Sequence, residues 1–127
     1  MLDKITACVA AHLSKFVPDA VEPDEESIFL SLGEDEDQKF DIIVEDFDVH
    51  PEDDTNEGTV LVAGRSFVKV IDGDTEHPDL LDACLDAIAQ NAELQPLVRD
   101  LTTDGDHKDC EAIFDLEGYG YVILKVR

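Results

Sequence analysis

Hydrophobic residues recur at spacings of three and four near the start of the chain. Leu2, Ile5, Val9, Leu13 and Phe16 fall on one stripe, which predicts a helix over residues 2–17 that buries one face. Asp3 sits in the first turn, where the helix dipole favours an anion. Pro18 ends the segment, because the residue before a proline is pushed out of helical geometry. Residues 19–26, with Pro18 and Pro23 at hand, read as an acidic connector. The period then drops to two. Ile28, Leu30 and Leu32 alternate over residues 27–32, and Phe40, Ile42 and Val44 alternate over residues 40–49, so both segments predict strands. Gly33 to Lys39 is the charged turn between them. Phe47 and Val49 have the other parity, and the switch near Glu45 and Asp46 predicts a bulge or bend.

His50 to Gly58 reads as a second acidic loop. Residues 59–72 form the longest strand candidate, carried by Val60, Val62, Phe67, Val68, Val70 and Ile71, with Gly64 as a bulge position and Asp72-Gly73-Asp74 as the turn that ends it. Residues 77–92 predict the clearest helix. Pro78 suits its first turn, Thr75 or His77 its cap. Leu81, Cys84, Leu85, Ile88 and Ala92 make the buried stripe, with Asp79, Asp82 and Asp86 opposite. Residues 94–101 read as a short turn or strand after Pro96, and 102–110 as a polar loop. Residues 111–127 return to extended patterning, in which Gly118-Tyr119-Gly120 is either a hairpin turn or a glycine bulge in one long strand. The expected fold is α+β in one domain of 127 residues, a mostly antiparallel sheet of four to five strands with two helices on one face, in the order α-β-β-β-α-β-(β).

Composition adds one strong signal. There are 32 acidic residues against nine basic ones, a net charge of −23 with His neutral. Such a surface repels the phosphate backbone and anionic membranes, so sequence-specific nucleic-acid binding and membrane association are not expected. It suits basic protein partners, divalent cations, solubility, or a salt-adapted setting. Residues 19–57 hold 17 of the acids and one base, Lys39. Their loops supply a candidate acidic interaction surface: Glu34, Asp35, Glu36 and Asp37 in one run, Glu52, Asp53, Asp54 and Glu57 in the other. The bland explanation is that loops tolerate acids.

Candidate chemistry is sparse. Cys8, Cys84 and Cys110 are three, with no close pair, which points to reduced thiols and a cytoplasmic setting. The chain start lacks the long apolar stretch of a secretory signal, and no run approaches the 18 apolar residues of a membrane span. Cys8 and His12, four apart on the first helix, are the one nucleophile–base candidate. No third group orients them, and Cys8 reads first as a small buried filler. Asp104 to Cys110, Asp72 to Asp74 and Glu34 to Asp37 gather ligand-type side chains, yet none fits a calcium-loop or zinc template. No phosphate-cradling glycine loop is present. The expectation is no catalytic residue, no cofactor and no metal.

The element order is similar to that of phage tail-terminator or tail-completion (minor tail) proteins. The resemblance is carried by the opening helix at Met1-Leu2-Asp3-Lys4-Ile5, by the strand Ser66-Phe67-Val68-Lys69-Val70-Ile71 feeding the helix at Pro78-Asp79-Leu80-Leu81-Asp82-Ala83, and by the final extended segment Gly120-Tyr121-Val122-Ile123-Leu124-Lys125-Val126. It covers nearly the whole chain as pattern and length, with the acidity and residues 19–57 as departures, and it carries over no functional residue. It implies a subunit that self-associates into a ring, caps the tail tube and contacts the head connector. An acidic lumen would let genome slide, since a like-charged wall does not grip phosphates. Two other classes compete. One is an acidic inhibitor, immunity or DNA-mimic protein that fills a basic cleft; the other is a small enzyme with an acidic pocket.

Overall fold

The computed structural model describes residues 1–24, 26–47, 80–105 and 109–127, without the Asp37 side chain. The strand expected over residues 59–72 lies outside them. Helix α1 spans Leu2–Ser14 and helix α2 spans Leu80–Gln90. The strands are β1 (Val21–Pro23), β2 (Ser27–Ser31), β3 (Lys39–Asp46), β4 (Val98–Asp104), β5 (Cys110–Leu116) and β6 (Gly120–Val126). They form one antiparallel sheet in the order β1-β2-β3-β6-β5-β4. The class is α+β, as expected, with six strands among the described residues rather than four to five.

Alternation builds the buried face. Ile28 and Leu30, Phe40, Ile42 and Val44, Val122, Leu124 and Val126, and Ala112, Phe114 and Leu116 point to one side of their strands and are at most 1% exposed. The stripe of α1 (Ile5, Val9, Leu13) and most of α2 close on that side in the same apolar cluster. Burying each large side chain contributes about 1.5–3 kcal/mol. α1 stops three residues short of the predicted end. The Val17 N–H still bonds the Leu13 carbonyl at 3.0 Å, so a turn continues the stripe to Phe16 before Pro18.

Several expectations are corrected. The connector at 19–26 contains β1, whose Val21, Glu22 and Pro23 pair with Leu30, Phe29 and Ile28. A proline is tolerated there because, among the described residues, β1 is an edge strand with no ladder on its outer side. No bulge interrupts β3 near Glu45, since its pairing with β6 runs unbroken from Ile42 to Asp46; the parity switch falls where the strand ends. The polar loop expected at 102–110 begins later, because Thr102, Thr103 and Asp104 extend β4 and pair with Ile113, Ala112 and Glu111. β4 has a bulge between Arg99 and Thr102, with Asp100 at φ 54°. The open choice at Gly118 resolves as a hairpin between β5 and β6, and Gly118 adopts φ 82°, a turn conformation that glycine reaches without strain. The Tyr119 hydroxyl donates to Asp46 Oδ1 at 2.7 Å, tying this hairpin to the end of β3.

Within this sheet β6 joins two halves. It pairs with β3 on one side and β5 on the other. On the face away from the helices, Lys125 ion-pairs with Glu45 of β3 and stands opposite Glu111 of β5. Lys125→Glu would align three carboxylates across three strands. Like charges on neighbouring strands repel, so the variant is expected to lose about 1 kcal/mol of stability. Urea unfolding at low and high salt checks this, and screening should recover most of the loss.

Candidate functional site

The first acidic run lies at the tip of the β2–β3 hairpin. Glu34, Asp35 and Glu36 are exposed, and a short 3₁₀ turn over Glu36–Gln38 returns the chain to β3. Lys39 sits 3.1 Å from Glu36 and neutralises part of this tip. Asp37 lies in the turn. Glu52, Asp53, Asp54 and Glu57, the other half of the expected surface, lie outside the described residues.

The sheet face opposite the helices has a different character. Its carboxylates, Glu22, Asp41, Glu45, Asp104, Glu111 and Asp115, are interleaved with Lys39, Lys125 and Arg99, so this face carries charges of both signs. Between them stand Phe29, Ile43, Tyr121, Ile113 and Ile123. Ile123 is 4% exposed and Phe29 36%. Phe29 also borders a cavity of about 360 Å³ between β1 and the end of α1, shared with Val17, Pro18 and Ala20.

The Cys8–His12 pair acquires partners that helical spacing did not supply. α1 and α2 pack side by side. The Cys8 thiol donates to the Ala87 carbonyl of α2 at 3.3 Å and accepts from the Asn91 carboxamide at 3.5 Å. Asn91 is itself fixed, because its Oδ1 accepts the backbone N–H groups of Glu93 (2.9 Å) and Leu94 (3.1 Å). Lys4 on α1 also reaches Glu93 at 2.8 Å. His12 Nε2 lies 3.4 Å from Asp86 Oδ2, and both side chains are buried, at 6% and 2% exposure. The His12 ring meets Phe16 edge to face, with centroids 5.3 Å apart. Gln90 donates to Asp86 Oδ2 at 2.7 Å.

Asp86 is therefore not on the polar face of α2, as the sequence pattern placed it. Ala92, expected in the buried stripe, is exposed instead. The available signal for Asp86 was an acid set among Ala83, Cys84, Leu85, Ala87, Ile88 and Ala89, with no room for a wide polar face.

The chemistry of the cluster follows from its burial. Burial pushes the Cys8 thiol up, against the smaller opposing effects of the Asn91 hydrogen bond and Lys15. Burial also pushes His12 below its usual 6.5; Asp86 opposes that shift and Lys15 adds to it. At neutral pH the thiol is protonated and the imidazole neutral, the reverse of the thiolate–imidazolium arrangement that activates a cysteine nucleophile. A cavity of about 230 Å³ opens beside Cys8, His12 and Lys15, but His12 Nε2 has neither solvent contact nor a hydrogen-bond partner.

Among the described residues, no group of three His, Cys, Asp or Glu side chains is placed to hold a metal ion. Asp104 spends its carboxylate on the Gly105 N–H at 2.9 Å, while Asp106, His107 and the Asp72–Asp74 turn lie outside the described residues. No helix among the described residues is long and apolar enough to cross a membrane. Comparison with family models, with curated proteins and with solved structures found no match for this chain.

Proposed function

We propose that this chain is a structural assembly subunit of the tail-completion kind, which self-associates into a ring, caps the tail tube and contacts the head connector. The observation that supports it best is the sheet face opposite the helices. A sheet covered by helices on one side ordinarily alternates to a polar outer face. Here that face carries exposed Phe29 and half-buried Ile43, Ile113 and Tyr121 among charges of both signs, apolar surface within a polar margin, which is the make-up of protein–protein interfaces. A repeated contact between different patches of neighbouring copies closes a ring. Loop acids facing the lumen would leave nucleic acid ungripped. The non-catalytic side of this reading rests on the protonated thiol and enclosed imidazole of the Cys8–His12 pair.

A second reading, an acidic inhibitor, immunity or DNA-mimic protein, is favoured by the exposed Glu34, Asp35 and Glu36 at one hairpin tip. Charge of that sign speeds encounter with a basic cleft.

Absolute mass by light scattering separates the two. The assembly subunit is expected to give a mass several times 14.0 kDa that grows with salt. Repulsion between copies reaches about 30 Å at 0.01 M salt and about 8 Å at 0.15 M. Phe29→Glu is expected to return it to monomer. A 14.0 kDa species at every salt concentration would remove the self-assembling ring and leave the inhibitor reading.

A further inference from the structure

We infer that His12 and Asp86 form a proton-sensitive latch between α1 and α2, closed while the imidazole is neutral and loosened when it takes up a proton. This is independent of the assembly reading. The two side chains come from different helices and meet in the interior, 6% and 2% exposed. His12 Nε2 has no hydrogen-bond partner and no solvent contact, although Asp86 Oδ2 is 3.4 Å away. The geometry is thus one of proximity without a formed hydrogen bond, and Asp86 Oδ2 already accepts from Gln90. A proton on Nε2 places a charge where water cannot hydrate it.

Among the described residues, the charges acting on the ring are Asp86 from α2 and Lys15 from its own helix. Asp86 attracts the imidazolium and Lys15 repels it. Cys8 of α1 stays a neutral thiol, and Gln90 and Asn91 of α2 carry no charge. The strands beneath α1 bring apolar side chains to the shared core, Ile28, Leu30, Phe40 and Val44 among them. Burial opposes the charged ring more strongly than Asp86 favours it, so His12 is held below 6.5.

The sign of the effect follows. Below about pH 6.5 a solvated His12 binds a proton more readily than the packed one, so the state with the helices apart takes up more protons. The packed state therefore weakens as pH falls through 6.5 and keeps its full stability above it. What loosens is the seam that also holds the Cys8–Ala87 and Cys8–Asn91 contacts.

Cys8 provides the readout. Cys8 is half-buried in the packed seam, whereas Cys84 and Cys110 are 0% and 2% exposed, so a rise in iodoacetamide labelling at Cys8 alone, above its rate in the packed state, reports loosening of the two helices, while labelling of all three reports global unfolding. The labelling rate of the wild type is taken relative to His12→Gln at each pH, which cancels the intrinsic pH dependence of the thiol. From pH 7.5 to 5.5 this ratio is expected to rise, by no more than about tenfold, the ceiling set by a solvated histidine near 6.5. NMR titration of the wild-type imidazole needs no variant. It is expected to place His12 below 6.5, and Asp86→Asn to lower it further. A flat labelling ratio, or a wild-type His12 that titrates at or above 6.5, would overturn the latch.

Discussion

Replacing Phe114 with alanine is expected to lower the unfolding free energy by about 3–5 kcal/mol. Phe114 is fully buried in β5 and belongs to the cluster that both helices share with the sheet. The loss combines the transfer energy of the ring with the cavity it leaves, since neighbours in a close-packed core relax only in part. Domains of this size hold about 5–15 kcal/mol in total, so the variant sits near the edge of folding. The chain has no Trp, so urea unfolding followed by far-UV circular dichroism is the suitable measurement. The midpoint should fall at unchanged slope, because the surface exposed on unfolding is nearly the same. Phe29→Ala is the control. That ring is 36% exposed and its removal is expected to cost under about 1 kcal/mol. Equal losses at the two positions would mean that the faces of the sheet are misassigned.

Leu124→Lys is expected to leave no cooperatively folded protein. Leu124 is fully buried on β6, between Val44 of β3 and Ala112 of β5. An ammonium group there would sit among apolar side chains, and burying it costs several kcal/mol even after relaxation. Deprotonating it instead shifts the cost into its pKa without removing it. The next residue supplies the comparison. Lys125 is a natural lysine one position along the same strand, and it is accommodated because alternation turns it to the opposite face, against Glu45. Soluble yield and the dispersion of a proton–nitrogen NMR spectrum check the expectation. A native-like spectrum for Leu124→Lys would show that β6 does not lie in the middle of the core.

Much of this architecture was legible because a few periodic signals dominate. Ile5, Val9 and Leu13 marked α1, and Phe40, Ile42 and Val44 marked β3, since each set pays for its burial on one face only. β1 was hidden by its length and chemistry. Three residues cannot display a period, and Glu22 and Pro23 are residues that only an edge position accepts. The end of β4 was hidden for a related reason. Thr102, Thr103 and Asp104 lie at the other edge, where polar residues cost little.

Asp86 was misplaced because a single polar stripe was assumed for α2. Ala83, Ala87 and Ala89 are small enough for neighbours to approach closely, so the helix is buried from Leu80 to Ala89 except at Asp82. The candidate site was less visible than the fold. Spacing within one helix brought Cys8 to His12, but Asp86 and Asn91 arrive from 74 and 79 residues beyond His12, and no local pattern announces a packing partner on another helix.

The position of β6 sets the order in which the molecule can be built. During synthesis the β1-β2-β3 meander emerges early, and β4 and β5 follow much later, yet these two groups have no direct ladder to one another. Each leaves one inner edge without its strand until residues 120–126 arrive. β6 reaches β5 across a three-residue turn, an event of microseconds. Its other ladder must join Asp46 to Val122, a closure over more than half the chain, and long-range pairing of that kind is slow. Until β6 is made, the nascent meander keeps an open β3 edge, and the high negative charge keeps such chains apart while they wait.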